Sequence, residues 1–546
     1  MKHVKQLLSA LLVLAVVLSL LPAGVLKASA AEALAALDIG YPTFKNTELL
    51  DEVYDLSKLG VSYSEKDIMM AIYKQDLANG GDSFYMDRIL AREGVCNGNA
   101  GSNGNADGNT FLTRGRALYM YTSSPSVIGF GGNTAYHQPL GRGDLVRVLF
   151  SNADGSLTTK EDTSKRVNAP SNWSSTYSVG SNLTLDVVKF IHQENVAVTT
   201  MTLTNKSAED QAITVAADSI FATEPGKVTV NGAEQTELTG TCSSPAGLTT
   251  IYARMTGDGF EAASSDDYCW LSRDVTVPAG GSVELKVVIA FTTEEIPEST
   301  EQYLRFAGLG NLEAVRAQKA EYNLYWAENL PYIDVPKKAV QKAIDYRWWL
   351  ERFNSLDANI PGYDYQYPVT IEGVLGYNNA IILTQPMHLQ DTKWLRSPYL
   401  AYGQLLSAGN SSQSSAFLDN PGNRNNWNNH YGQYLAEAGY EAFNVIGGGA
   451  EVAENFAYYF GHDATGQLEH YGNHIEGRDL IAYRNNYMTG NDADTISMHA
   501  PGTGTWKAHG ENAYVWAAAD AAAKLYEQLG NTEQAKYYRD LADKIK

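Results

Sequence analysis

Cysteine is scarce in this chain. Only Cys96, Cys242 and Cys269 occur in 546 residues, scattered without the spacing of a zinc site, so their role is structural at most. In an oxidising compartment Cys242 and Cys269 can close one hairpin-like loop, which leaves Cys96 over. Positive charge is short as well. The net charge is -21 and no run of Lys and Arg offsets it. Without a basic stripe for phosphates, an acidic surface disfavours anionic membranes, and no nucleic-acid partner is expected. Past the first thirty residues no stretch approaches the roughly 20 apolar residues of a membrane span, so no integral membrane segment is expected in the mature chain. Nucleophile elbow, P-loop, dinucleotide fingerprint and HExxH motif are all missing. The cluster Gly129-Phe130-Gly131-Gly132 lies in strand-like sequence with no helix after it. No fixed-period repeat is present. The single Leu529-Gly530-Asn531 turn within 517–546, which has the length of a helical-repeat hairpin, occurs once where a solenoid needs about three.

Aromatic residues, by contrast, are abundant, with 34 Tyr and 9 Trp. Flat rings with polar tips stack on sugar faces and hydrogen-bond at their edges. Residues 1–30 read as an export signal. Lys2 and Lys5 precede an apolar core at 7–21, and Ala28-Ser29-Ala30 supplies a cleavage site, with cleavage expected after Ala30 and a secreted or extracellular mature protein.

Helical periodicity marks 65–77 and 82–93, followed by an Asn/Gly tract at 97–109. Within the tract, Asn103-x-Asn105-x-Asp107-Gly108 imitates the first half of a calcium loop, but the twelfth position is Arg114 instead of an acid. From Phe111 to about Thr293 short runs rich in Val, Ile, Thr and aromatics alternate with Gly, Asn and Pro turns. Seven strands are expected: 118–122, 145–151, 183–192, 196–205, 211–221, 248–256 and 282–293. Strands without helices between them imply an antiparallel β-sandwich. One linker helix is expected over 312–329, ended by Pro331 and Pro336. Helices then follow at 337–352, 387–408, 430–445, 450–459, 513–529 and 532–546, with long polar or Tyr-rich loops between several of them. Helix pairs joined by long loops point to an α/α toroid. Six helices after the linker, against twelve in a full toroid of six hairpins, imply a toroid that is incomplete in this chain. The expected organisation is therefore a signal at 1–30, a β-sandwich domain at 31–300, a linker helix at 301–334 and a partial α/α toroid at 335–546.

The stretch 487–499, YMTGNDADTISMH, sets Asp492 and Asp494 in a Gly- and Asn-rich loop between helical regions. Glycoside cleavage needs one carboxyl to protonate the leaving oxygen and another to act as base or nucleophile. Two residues apart, these aspartates are too close to straddle a sugar easily, but either can be the acid, with Tyr487, Met488, Met498 and Trp506 nearby to raise its pKa. The competing reading is that they cap a turn or helix. Seven of the ten histidines, including His388 and His430, fall in the helical region, suited as neutral imidazoles to sugar hydroxyls. His470 and His474 are separated by a Gly-Asn break that spoils a zinc pair, and neither metal nor other cofactor is expected. Tyr365 and Glu372, then His388, Asp391 and Trp394, then Trp427 and His430 repeat an aromatic-plus-polar set along successive loops, as a carbohydrate pocket requires. Asn491, Trp506 and Glu511 complete the expected substrate-binding set.

The order of sandwich, linker helix and α/α domain, with Thr489-Gly490-Asn491-Asp492 and Glu511-Asn512-Ala513-Tyr514, resembles the six-hairpin glycosidases. The likeness is greatest to glycoside hydrolase family 63 and the mannosylglycerate-hydrolase-like group. The resemblance implies an exported, inverting glycoside hydrolase in which Asp492 is the general acid, and it implies a general base beyond Lys546. The family's W-D pair is replaced here by Gln390-Asp391 and Trp394, which leaves the substrate class open. Two other readings stand beside it. One is a carbohydrate-binding surface protein without chemistry. The other is a polysaccharide lyase, which Tyr483-Arg484-Asn485-Asn486-Tyr487 would suit and the net charge opposes.

Overall fold

A computed structural model describes residues 86–87, 92–93 and most of 115–546. Within the latter span the residues left out are 116, 122–125, 137, 143, 244–249, 266–267, 295, 332–334, 357–366, 373–379, 413–414, 420–431, 472–479, 484–506 and 509. The signal, the Asn/Gly tract and the helix expected at 65–77 lie outside these residues. Of the helix expected at 82–93, residues 86–87 are helical, but Arg92–Glu93 is a strand paired with 167–168.

Two large antiparallel sheets and a small three-stranded one (Leu118–Tyr121, Asn133–Tyr136 and Gln138–Arg142) form the described N-terminal part. Among the described residues the larger runs, in spatial order, Arg92–Glu93, Thr159–Asn168, Trp173–Val179, Leu183–His192, Val196–Asn205, Ser282–Thr292, Thr250–Gly257, Ala233–Ser243 and Glu224–Val230. The smaller of the two large sheets is built on Glu261–Ser265, Tyr268–Val277, Gln211–Asp218, Val146–Asn152 and Gly129–Phe130. Strand pleating sends alternate side chains to opposite faces. Accordingly Val187, Ile191, Ala197, Met201, Leu203, Val287 and Ile289 join Val148, Phe150, Ile213, Val215 and Leu271 in the core between the sheets. The intervening Phe190, Val196, Val198, Val288 and Ala290 face the other way. That second face is covered by α1 (Pro297–Gly308) and α2 (Asn311–Asn329), through Tyr303, Phe306, Ala307, Ala314 and Ala317. The central strands are apolar on both faces because both are packed, which makes three layers where the sequence led us to expect two.

Pro297 starts α1. A proline lacks the N–H that the first helical turn leaves unbonded anyway, so it suits this position. Residues 301–334 therefore hold the end of one helix and the whole of another, laid against the sheet. Glu313 reaches back to the Gly310 N–H at 3.1 Å to close the first turn of α2. Cys242 and Cys269 are free thiols in different sheets.

The helical part contains α3 (Lys338–Asn354), α4 (Gln385–Thr392), α5 (Tyr399–Ser412), α6 (Leu435–Ile446), α7 (Gly449–Tyr471), α8 (Asn512–Gln528) and α9 (Thr532–Ile545). The single helix expected at 387–408 is two. Pro398 cannot continue a helix from 393–397, and α5 restarts directly after it. The helix expected at 450–459 runs on to Tyr471, where Gly472 follows.

Connections alternate in length. Within the pairs α4/α5, α6/α7 and α8/α9 they are short: 393–398, 447–448 and 529–531. Before α4, α6 and α8 they are long: 355–384, 413–434 and 472–511. The 447–448 turn is made by glycines, with φ of 83° at Gly447, 141° at Gly448 and 73° at Gly449, values costly for any residue with a Cβ. Helices α4, α6 and α8 pack side by side while α9 packs on α8. This is the arrangement of helical hairpins in an α/α toroid, with the long loops on one rim and the short hinges on the other.

The sheet's longest hairpin points its turn at the helices. Its turn residues 192–195 are buried. His192 Nε2 lies 3.2 Å from Glu321 of α2, and Gln193 Oε1 accepts from Arg352 of α3 at 2.9 Å. Asn195, at φ 61°, accepts the N–H groups of Ala117 and Leu118.

Candidate functional site

The long-loop rim is where the sequence places its candidate residues, and α3 and α4 bring several of them together. Glu351 lies on the last turn of α3 and His388 on the first turn of α4. The His388 Nδ1 is 2.9 Å from Glu351 Oε1 and 3.0 Å from Oε2. Its Nε2 is buried and has no hydrogen-bond partner among the described residues. Burial pushes the imidazole down, but the Glu351 carboxylate outweighs it, with Glu372 and Asp391 adding to the effect, so His388 titrates above its ordinary value. The sequence predicts neutral, hydroxyl-binding imidazoles in this region; at His388 a carboxylate from another helix faces the ring.

Glu372 follows the short strand Val369–Thr370, which pairs with Ser355–Leu356 at the end of α3. Burial raises its carboxyl pKa, and the opposing influences of His388 and a Thr384 hydrogen bond do not cancel the rise. A half-buried carboxyl kept protonated into a higher pH range is the environment that tunes acids for proton transfer.

Asp391 lies one turn further along α4 and is gripped by Arg347 of α3 through two hydrogen bonds, Nε at 3.2 Å and Nη2 at 2.6 Å. The Trp348 indole N–H also donates to the Asp391 backbone carbonyl at 3.1 Å. Asp391 is thus committed to joining α3 and α4. Trp394 sits in the short hinge after α4, at the other end of that helix from the long loop. It is 53% exposed, and Lys393 lies 5.5 Å over its ring. Lys393 in turn bonds Glu441 of α6 at 2.8 Å, and Gln390 does so at 2.7 Å.

Tyr365, Trp427, His430, Asn491, Asp492, Asp494 and Trp506 lie outside the described residues. The base of the stretch that carries Asp492 and Asp494 is described. Ala482–Tyr483 pairs antiparallel with Lys507–Ala508, and Asn512, the first residue of α8, accepts from Ile481 N at 2.8 Å and donates to Ile481 O at 3.1 Å. The described residues on either side of 484–506 therefore meet at the N-terminus of α8. Glu511 immediately precedes α8 and accepts the backbone N–H groups of Tyr514 and Val515 through its own carbonyl.

The loop before α6 is likewise fixed at its ends. Asp463 of α7, fully buried, accepts from Phe417 N at 2.8 Å, from Gln433 Nε2 at 3.1 Å to each oxygen, and from Gln467 Nε2 at 3.0 Å. Burial pushes this carboxyl up to about 6 against those three donors. Asp419 accepts the Ile382 N–H at 2.8 Å and so joins this loop to the one before α4.

Glu351 and Asp463 were not singled out from the sequence. Each lies inside an amphipathic helix, 37 and 30 or more residues from its key partners. The one local signal was that Glu351 closes a helix just before the Tyr-rich 361–377 loop. Among the described residues no group of three or more His, Cys, Asp or Glu could hold a metal ion, and no helix is long and apolar enough to cross a membrane.

No family model matches the chain. Solved structures similar to it include a protein described as a kojibiose phosphorylase from the human microbiome, with a TM-score of 0.44 and 10% identity over 74% of this chain and 60% of that one. A GH92-family glycosyl hydrolase matches with a TM-score of 0.40 and 11% identity, over 83% of this chain and 63% of its own. A GH92 inverting mannosidase from Bacteroides thetaiotaomicron matches with 0.41 and 14%, over 88% and 65%. The chain thus spans less than two thirds of each of these proteins. With every score below 0.5, their activities remain theirs, and the chemistry of this site has to come from its own residues.

Proposed function

We propose that this is an exported glycoside hydrolase whose site lies on the long-loop rim of the helical part, with a neutral oligo- or polysaccharide as substrate. The carrying observation is the alternation of connections. Every loop that holds a candidate acid or aromatic except the hinge bearing Trp394 is a long one, and all of these open beside the N-termini of α4, α6 and α8. Glu372 and His388 stand on that rim, and the Asp492 stretch is rooted on it at Asn512. In this reading Asp492, in Thr489-Gly490-Asn491-Asp492, protonates the leaving oxygen, with Asp494 beside it. Water attacks from the opposite face with inversion, which requires a second carboxylate on that side. The net charge of -21 favours a neutral over an acidic substrate. The closer placing with family 63 rests on the sequence motif alone.

The test is hydrolysis of a panel of neutral oligosaccharides, with the anomer of the first product read by NMR. Cleavage with inversion is expected, and Asp492→Asn should lower kcat by about 10²- to 10⁴-fold while sugar binding survives. Unchanged turnover in Asp492→Asn removes the acid assignment. Binding of sugars with no cleavage by the unaltered protein replaces the hydrolase with a carbohydrate-binding protein.

A further inference from the structure

Within this proposed site, one side chain outside the expected set controls another. His388 has a single hydrogen-bonding anchor among the described residues. Both oxygens of Glu351 lie within 3.0 Å of its Nδ1, while Nε2 is buried and unbonded. The ring's orientation therefore depends on Glu351. Glu351 itself is 8% exposed and sits on α3, a helix tied to α4 a turn further along by Arg347 and Asp391. Glu372 comes from a third segment and feels the charge of His388. We propose that Glu351 is a positioning residue for Glu372, acting through His388: its carboxylate grips Nδ1 and fixes the orientation of the ring. The inference rests on the hydrolase reading only for its consequence in turnover.

The charged and titratable groups facing His388 are Glu351 from α3, Glu372 from the preceding loop and Asp391 from its own helix, the last already neutralised by Arg347. Glu351 is the carboxylate in direct contact. Removing its charge should let burial dominate the ring. With a neutral ring beside it, Glu372 loses a cationic neighbour and should hold its proton to higher pH.

The experiment is an NMR titration of the His388 ring, selectively labelled, in the full chain and in Glu351→Gln, whose amide oxygen still accepts from Nδ1. The midpoint is expected above the ordinary histidine value in the unaltered protein and lower by at least about 1 pH unit in Glu351→Gln. Glu351→Asp, which keeps the charge, should restore most of the shift. Where the protein cleaves sugars and a limb of its kcat/KM profile follows Glu372, that limb should move upward in Glu351→Gln. An unmoved His388 midpoint in folded Glu351→Gln overturns the proposal. Should that variant not fold, Glu372→Gln reads the coupling from the other side. A lowered His388 midpoint supports the arrangement, and an unmoved one overturns it. Because the titration needs no substrate, absence of hydrolysis and absence of coupling are separate results.

Discussion

Asp463 and Glu372 are carboxyl groups raised for the same physical reason, burial, but only one of them lies where a ligand could use it. Asp463 is enclosed by three donors and ties 417 to 433. Its carboxyl is pushed from 3.8 to about 6, so the folded chain binds that proton more readily than the unfolded one. The sign follows directly. This group's contribution to stability is full below about 4 and is lost as pH rises through about 6. Asp463→Asn, which resembles the protonated form, should therefore flatten the dependence of the urea midpoint on pH between about 4 and 6 relative to the unaltered chain. Glu351 and Asp463 escaped the sequence reading because their significance is entirely in their partners. A carboxylate on a regular helix gives no local sign of whether it meets solvent, an imidazole or two loop ends.

At the scale of elements, the sequence was readable where burial is one-sided or complete and regular. Val196–Asn205, with β-branched residues on both faces, stood out as a strand, and so did Leu183–His192. Thr159–Asn168, TKEDTSKRVN, did not, since it lies near the edge of the sheet and half of its side chains are exposed. Trp173–Val179 is buried on alternate positions, but its Ser and Thr look like a loop. Among helices, the break at Pro398 divided what periodicity alone had joined, because Tyr399–Ser412 continues an apolar pattern on the far side of the proline. The close packing of α7 supplies a direct check. A Cβ on Gly466 would stand 2.2 Å from the backbone nitrogen of Ala416 and 2.8 Å from the Ser415 carbonyl carbon. Backbone cannot rotate aside as a side chain does, so Gly466→Ala should lower stability by about 1–3 kcal/mol, measured by chemical denaturation. A smaller loss would mean that residues 415–416 shift freely.

For the whole molecule, one contiguous core runs from between the sheets into the helical part, through Tyr325, Trp326, Trp348 and Trp349. The sheet hairpin carrying Gln193 is inserted beside the last turn of α3, the same turn that bears Glu351. Thermal unfolding followed by calorimetry should accordingly show the two parts melting together. Arg352→Ala, which removes the bond to Gln193 and the packing of the guanidinium 5.0 Å over Tyr325, should lower the melting temperature and separate the transitions. The general plan, sheets followed by helical hairpins, was legible in the texture of the sequence. The insertion of that hairpin turn was not, because the contact joins residues 159 positions apart.

The alternation of long loops and short hinges has a consequence beyond this chain's own chemistry. The glycine-built 447–448 turn tolerates almost no change in length or composition, whereas 355–384, 413–434 and 472–511 leave the helices at one rim and are secured at their roots by Asp419, Asp463 and Asn512. Length and recognition chemistry can therefore diversify between these roots while the frame stays constant, with the first two loops tied to each other where Asp419 holds Ile382. A loop exchanged between such roots would carry its specificity with it, the first two as a tied pair and the third alone.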